Sequence, residues 1–368
     1  MTTMLQSRDL HSNLPPPLLA ITIGDPNGIG PEIIVKALQH DVVWTCCRPV
    51  IVGSTTLMRR AVKLCASSLP VVTVEHPKQA TDDPHRAVFV LDRVPVPDDL
   101  KLGTIDPRAG HAAFESIRIA IELAMANEVD GTITAPLHKE SLNLAGHHFP
   151  GHTEIFASLT NTPDVAMMLA EGDFRVVHVS THVSLRQACD LATRPRVLKT
   201  IQLADDACRQ LGIERPLIAV AGLNPHAGDG GLFGDEEIQH IIPAIEDARA
   251  TGIRVEGPLP ADTLFPRAVA GAYDCVVAMY HDQGHVPLKL AGFRYEHGKW
   301  TGVRGINITL GLPIIRVSVD HGTAFDQAGK ATASEQSMVQ AIEYAARLAM
   351  IRRKTSGSRQ EPSRDRGQ

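Results

Sequence analysis

The chain has 368 residues, enough for one large domain or two ordinary ones, and 43% are hydrophobic, so a packed core is attainable throughout. A net charge of −5 with histidines neutral, and only 4% aromatic residues, argue against a nucleic-acid surface, a base-stacking platform or a polybasic membrane anchor. The six cysteines form no CxxC pair and no disulfide framework, and read as the reduced thiols of a cytoplasmic protein.

Residues 1–17 form a polar extension without the apolar stretch of a secretory signal, ending on the stiff Pro15-Pro16-Pro17. An apolar, β-branched run predicts a strand over 18–23, followed by the turn-rich loop 24–30. Pro31 and Glu32 suit the first turn of a helix over 31–38. A strand over 49–53 leads to Ser54, a helix N-cap, and strands follow over 71–74 and 87–91. The long helix 107–127 places Ile117, Ile121 and Ala124 on one face. Strands are then expected over 129–134, 165–170, 175–180, 216–221, 274–279, 306–309 and 313–319. Helices are expected after Gly151 and over 194–211, 235–251 and 333–352, with a disordered tail over 353–368. This alternation predicts an α/β fold with a largely parallel sheet. With no Gly/Ser linker, it predicts two closely packed domains with a ligand cleft between them. No apolar run reaches transmembrane length.

His182, His226 and His281 each follow an apolar strand. Strand C-termini converge on the ligand crevice of α/β proteins, and three imidazoles with an open fourth position suit a catalytic divalent metal. A histidine after a strand is also a common capping group, and no compact motif such as HExxH supports the metal. Asp262 fits three roles: a fourth ligand, a carboxylate fixing a histidine tautomer, or the N-cap of a helix through Val269. Gly151-His152-Thr153 offers helix N–H groups, a hydroxyl and an imidazole to a phosphate, or an ordinary threonine cap. Lys289, Asn307 and Arg316 add cations and an amide suited to phosphate and carboxylate. The GxGxxG dinucleotide fingerprint and the Walker A motif are both absent, so a Rossmann site is unsupported.

Taken together, Gly24-Asp25-Pro26-Asn27-Gly28-Ile29-Gly30-Pro31-Glu32, Gly151-His152-Thr153-Glu154, Gly222-Leu223-Asn224-Pro225-His226-Ala227-Gly228, Tyr280-His281-Asp282-Gln283-Gly284 and Asn307-Ile308-Thr309-Leu310-Gly311-Leu312-Pro313 resemble the 4-hydroxythreonine-4-phosphate dehydrogenase family, in order and over residues 18–348. The loop from Asp320 to Lys330 looks like the cofactor loop of isopropylmalate and isocitrate dehydrogenases. A metal-dependent aldolase or hydrolase would not need such a loop.

The resemblance implies two α/β/α domains around a cleft, on the isopropylmalate/isocitrate-dehydrogenase scaffold, with residues 18–140 plus 305–352 in the first and 141–304 in the second. It implies His182, His226 and His281 as ligands of one divalent metal (Zn²⁺, Mg²⁺, Mn²⁺ or Co²⁺), and His152, Thr153, Lys289, Asn307 and Arg316 as substrate groups. His321, Gly322, Thr323, Ala324 and Asp326 would hold NAD, or NADP. Lys289 and Asp262 are the candidate catalytic groups. The implied assembly is a homodimer with a shared active site. The implied reaction is oxidation of the C3 hydroxyl of a 4-phosphorylated C4 acid, then decarboxylation. A related branch acts on 4-phospho-D-threonate and 4-phospho-D-erythronate. Two stretches depart from the biosynthetic enzyme: His285-Val286-Pro287-Leu288 after Gly284, and the insert 294–304.

Overall fold

Largely apolar, buried strands at the start of the chain set the centre of the architecture. In the computed structural model, which describes residues 14–82, 85–296 and 299–358, β1 (Leu18–Thr22) and β2 (Arg48–Gly53) pair in parallel and are buried almost throughout. Such near-continuous apolar runs belong to strands covered on both faces. The strands β3 (Val71–Val74), β4 (Val88–Asp92), β5 (Gly131–Thr134), β6 (Ala166–Glu171), β7 (Phe174–His178), β8 (Leu217–Ala221), β9 (Arg254–Leu259) and β10 (Cys275–Ala278) follow. A separate antiparallel hairpin, β11 (Phe293–Glu296) and β12 (Lys299–Val303), fills the insert, and β13 (Ile306–Leu310) and β14 (Arg316–Val319) close the set.

Twelve strands form one sheet in the order β3-β4-β2-β1-β5-β14-β13-β6-β7-β10-β8-β9. The expected parallel pairing holds on both sides of a central antiparallel seam, where β13 pairs with β14 and β6, and β6 with β7. Strands from residues 18–140 and 305–352 occupy one end of the order, and those from 141–304 the other.

Thirteen helices cover the faces: α1 (Gly30–Ala37), α2 (Asp41–Cys46), α3 (Thr55–Leu64), α4 (Gln79–Asp82), α5 (Pro107–Met125), α6 (Lys139–Leu144), α7 (His152–Leu159), α8 (Leu185–Leu191), α9 (Arg194–Gln210), α10 (Ile242–Ala250), α11 (Ala261–Val269), α12 (His281–Gly292) and α13 (Gln336–Ser358), counted among the described residues. Ser54 caps α3 as expected, its Oγ accepting from Leu57 N at 3.4 Å. Ile117, Ile121 and Ala124 of α5 are buried.

The expected domain boundary at 140 falls inside α6. The expected disordered tail needs correction, because α13 continues to Ser358. Arg353 is held there by the Asp130 carboxylate at 2.5 Å and donates to the Pro15 carbonyl at 2.8 Å. Residues 1–13 and 359–368, on which the rest of the terminal expectations fall, lie outside the described residues. Among the described residues, no helix is long and apolar enough to cross a membrane.

Candidate active site

Parallel strands end on a common edge, and that edge gathers the expected groups. His182 follows β7 and His281 opens α12 directly after β10, which pairs in parallel with β7. Arg316 starts β14 in register with Thr132 of β5, and β14 delivers Asp320 and His321 at its end. His152, Thr153, Lys289, Asn307 and Arg316 all line one cavity of about 420 Å³. His182, His281, His321 and Gly322 border it as well.

Arg316 is the electrostatic centre of this cavity. Its Nη1 donates to Thr309 Oγ1 and its Nη2 to Thr134 Oγ1, both at 2.9 Å, while Nε has no partner. The guanidinium lies over the Phe156 ring at 5.6 Å and makes no ion pair among the described residues. Burial presses its pKa down to about 9, yet at neutral pH it remains a buried cation. Burial first and Arg316 second hold His152 well below the ordinary histidine value, so its imidazole is neutral, and its Nε2 is buried without a partner. Gly151 precedes α7 without any side-chain cap, and Thr153 sits inside the first turn, so the threonine-cap alternative is not what forms. The helix N–H groups stay available to an anion.

His182 and His281 approach with ring centroids 5.8 Å apart. Burial lowers the His182 pKa, which favours the neutral ligand form. Asp282 Oδ1 lies 2.6 Å from His281 Nδ1, which occupies that nitrogen and leaves the other ring nitrogen as the one open to a ligand. His226 does not join them. It sits in an exposed left-handed turn (φ 53°), with Nδ1 3.3 Å from Asp229 Oδ2. The buried Glu237 carboxylate fixes that turn by accepting from Leu223 N at 2.7 Å and Asn224 N at 2.8 Å. Among the described residues no three His, Cys, Asp or Glu side chains form a group that could hold a metal.

Asp262 does not reach the cavity either. It is exposed in the first turn of α11, which packs near the His226 turn, and Pro260 rather than Asp262 occupies the cap position.

The loop after β14 is braced against the start of the chain. Glu32, buried in α1, accepts from Gly329 N at 2.6 Å and Ala331 N at 2.7 Å. Ile29 N donates to the Thr323 carbonyl at 3.1 Å, and a Cβ on Gly28 would lie 3.0 Å from Thr323. Phe325 stacks on His138 with centroids 4.6 Å apart. His321 Nε2 is buried without a partner, whereas a Cβ on Gly322 would meet open space.

Three groups escaped the sequence reading as site residues. Asp320, with its carboxyl pushed up to about 6 by burial and Oδ2 unpartnered, faces Lys289 and His281. His285 lines the cavity, and His178 lies buried behind it. The motif Tyr280-His281-Asp282-Gln283-Gly284-His285 held a signal for the second of these, since i and i+4 share a helix face.

The chain matches known proteins along most of its length. The family model described as "Pyridoxal phosphate biosynthetic protein PdxA" matches residues 45–345. D-threonate 4-phosphate dehydrogenase of Cupriavidus necator is 47% identical over 337 residues, covering 91% of this chain and 98% of that protein. 4-Hydroxythreonine-4-phosphate dehydrogenase of Trichlorobacter lovleyi is 45% identical over 344 residues, covering 92% and 100%. The crystal structure of 4-hydroxythreonine-4-phosphate dehydrogenase from Klebsiella pneumoniae superposes with a TM-score of 0.79 at 45% identity, covering 90% of this chain and 99% of that one. This chain belongs to the PdxA family of dehydrogenases.

Proposed function

We propose that the enzyme oxidises the C3 hydroxyl of a four-carbon acid phosphorylated at C4, with NAD or NADP as hydride acceptor and one divalent metal, and that the resulting β-keto acid loses CO2. The observation that carries this reading is the buried Arg316 cation, without a carboxylate partner, beside the neutral His152 and the open N-terminus of α7. That arrangement fits a phosphate monoester. Relatives named for D-threonate 4-phosphate and for 4-hydroxythreonine-4-phosphate both act within this substrate class.

Arg316, Thr153 and the α7 N–H groups hold the phosphate away from the reacting carbon, so binding energy orients C3. Lys289 and Asn307, which line the same cavity, clamp the carboxylate end. A divalent metal would sit at the His182–His281 pair and lower the pKa of the C3 hydroxyl. The loop of His321, Gly322, Thr323, Ala324 and Asp326 would receive the nicotinamide cofactor. The unpartnered His321 Nε2 and the open space at Gly322 fit such a ligand. Asp320, with its carboxyl raised to about 6 and Oδ2 unpartnered, is placed to take the hydroxyl proton as hydride leaves C3, with the Lys289 cation beside it.

The third imidazole comes from the partner in a homodimer, in which His226 of one subunit, with Asp262 close by, completes the other's site. Its exposed, rigid turn supports this, and so do the exposed Leu232 and Phe233 beside it and Val286 and Leu290 on α12. The two ends of the sheet would act as two α/β/α domains in a cytoplasmic enzyme. NADH absorbance is followed with 4-phospho-D-threonate, 4-phospho-D-erythronate and 4-phosphohydroxy-L-threonine, each with added Zn²⁺, Mg²⁺, Mn²⁺ or Co²⁺. Turnover with at least one is expected, and its absence with all would overturn the reading. His226→Ala should remove both metal and turnover, whereas metal retained at wild-type stoichiometry would refute the shared ligand.

A further inference from the structure

Behind His281 lies a second pair of imidazoles. The His285 ring stacks on His281 with centroids 3.6 Å apart and planes 12° from parallel. His285 Nδ1 lies 3.0 Å from the His281 carbonyl oxygen and 3.2 Å from His178 Nε2. His178 Nδ1 lies 3.3 Å from the Met167 carbonyl oxygen. Gly284 permits this contact, because a Cβ there would lie 2.3 Å from His178 Nε2.

The hydrogens of this chain follow from its ends. A carbonyl oxygen only accepts, so His178 Nδ1 carries the hydrogen. His178 is fully buried, which disfavours a charged ring, so with its hydrogen on Nδ1 its Nε2 is a lone pair. His285 Nδ1 faces two acceptors and therefore carries its own ring's single hydrogen. His285 Nε2 is left as a bare acceptor, with no hydrogen-bond partner among the described residues, on a residue that lines the cavity.

The His285 ring stacks beside His281 and lines the same cavity, so its free nitrogen is in the neighbourhood of whatever the His182–His281 pair holds. On the reading given above, a metal at that pair would hold the C3 hydroxyl. The C4 oxygen is esterified and donates nothing, so the neighbouring donor is the substituent at C2. Lys139, Lys289 and Arg316 already line the cavity, against Glu154 and Asp320. Nε2 accepts from either a hydroxyl or an ammonium, but the ammonium brings a further cation to this lining and the hydroxyl brings none.

We propose that His285 Nε2 accepts a hydrogen bond from the C2 hydroxyl of the substrate, with His178 as the positioning residue that holds it in the accepting tautomer, and that this contact selects 2-hydroxy over 2-amino acids. The proposal rests on the dehydrogenase reading and is tested separately from it. Steady-state kinetics compare wild type, His285→Gln and His285→Asn on 4-phospho-D-threonate and on 3-hydroxy-4-phosphobutanoate, which lacks the C2 hydroxyl. Glutamine carries an acceptor out to the Nε2 position. Asparagine keeps the donor to His281 and His178 but stops short of the substrate.

His285→Asn should lose roughly 10- to 100-fold in kcat/KM on phospho-D-threonate and nothing further on the deoxy analogue, with metal content and Tm unchanged. His285→Gln should keep most of the activity. His178→Leu should reproduce the His285→Asn loss, and His178→Gln, which can donate to Met167 and accept from His285, should rescue it. Equal losses on both substrates, or His285→Asn as active as His285→Gln, would overturn the contact while leaving the dehydrogenase reading intact. The wild-type ratio gives a check that needs no variant: kcat/KM should favour 4-phospho-D-threonate over 4-phosphohydroxy-L-threonine, and a ratio at or below unity refutes the selection. A wild type that oxidises no phosphorylated C4 acid sinks both readings.

Discussion

Burying a guanidinium without a carboxylate destabilises the empty protein, and Arg316 does so beside the deepest groups of the cavity. Arg316→Met should therefore leave the ligand-free Tm unchanged or raised. It should abolish the rise in Tm caused by inorganic phosphate and lower kcat/KM by roughly 100-fold or more. A fall in ligand-free Tm with the phosphate response intact would mark Arg316 as structural.

The buried histidines and carboxyls also set the pH profile of stability. His178 folds with a pKa of about 4 against an ordinary 6.5, so between those values the unfolded chain binds more protons and stability falls as pH falls. His152 shifts in the same direction. Asp25 and Asp320, raised from 3.8 to about 6, act oppositely, because over that window the folded state binds more protons and stability falls as pH rises. Tm should begin to drop as pH passes down through about 6.5, and the loss should flatten below about 6 as the two carboxyls offset it. Asp320→Asn should steepen the lower part. A Tm that climbs steadily from about pH 8 to about pH 5 would contradict these assignments.

At the scale of elements, the strands built on unbroken apolar runs were legible, whereas α12 and β9, whose patterns are interrupted by glycine and proline, were not. α12 contains Gly284 and Pro287, both poor in helices, yet it forms because β7 and β10 pack beneath it and Gly284 is needed for the close approach to His178. β9 contains Gly257 and Pro258, and survives as an edge strand, where a missing N–H is tolerated. Gly284→Ala decides between local and tertiary effects. Helix propensity alone favours alanine by about 1 kcal/mol. The new Cβ would lie 2.3 Å from His178 Nε2 and 2.7 Å from Val176 Cγ1, and overpacking of that kind destabilises by about 1–3 kcal/mol. Tm should fall, and a rise would show that the helix relaxes away from β7.

For the whole molecule, the cavity was legible because parallel strands deliver their C-terminal residues to one edge, which brought five substrate groups and two histidines together. The separation of His226 was not legible, because sequence order carries no information about how far one strand-end loop lies from another in the folded chain. The end of α13 was misread because polar composition hides a specific anchor, the Arg353–Asp130 pair. A double-mutant cycle on Arg353→Ala and Asp130→Ala should give a coupling of roughly 1–2 kcal/mol, as expected for a bidentate, half-buried pair. A coupling near zero would return this segment to a loosely held tail.

The brace between Glu32 and the loop at Gly329 joins residues almost a full chain length apart, and β14 lies between β5 and β13 in the sheet. These contacts impose an order on synthesis. A nascent chain that has not yet reached Arg316 carries β5 with one bare edge and α1 without the loop it clamps. The half of the molecule made first is thus the half completed last, and until β14 arrives that open edge can pair with another copy of the chain.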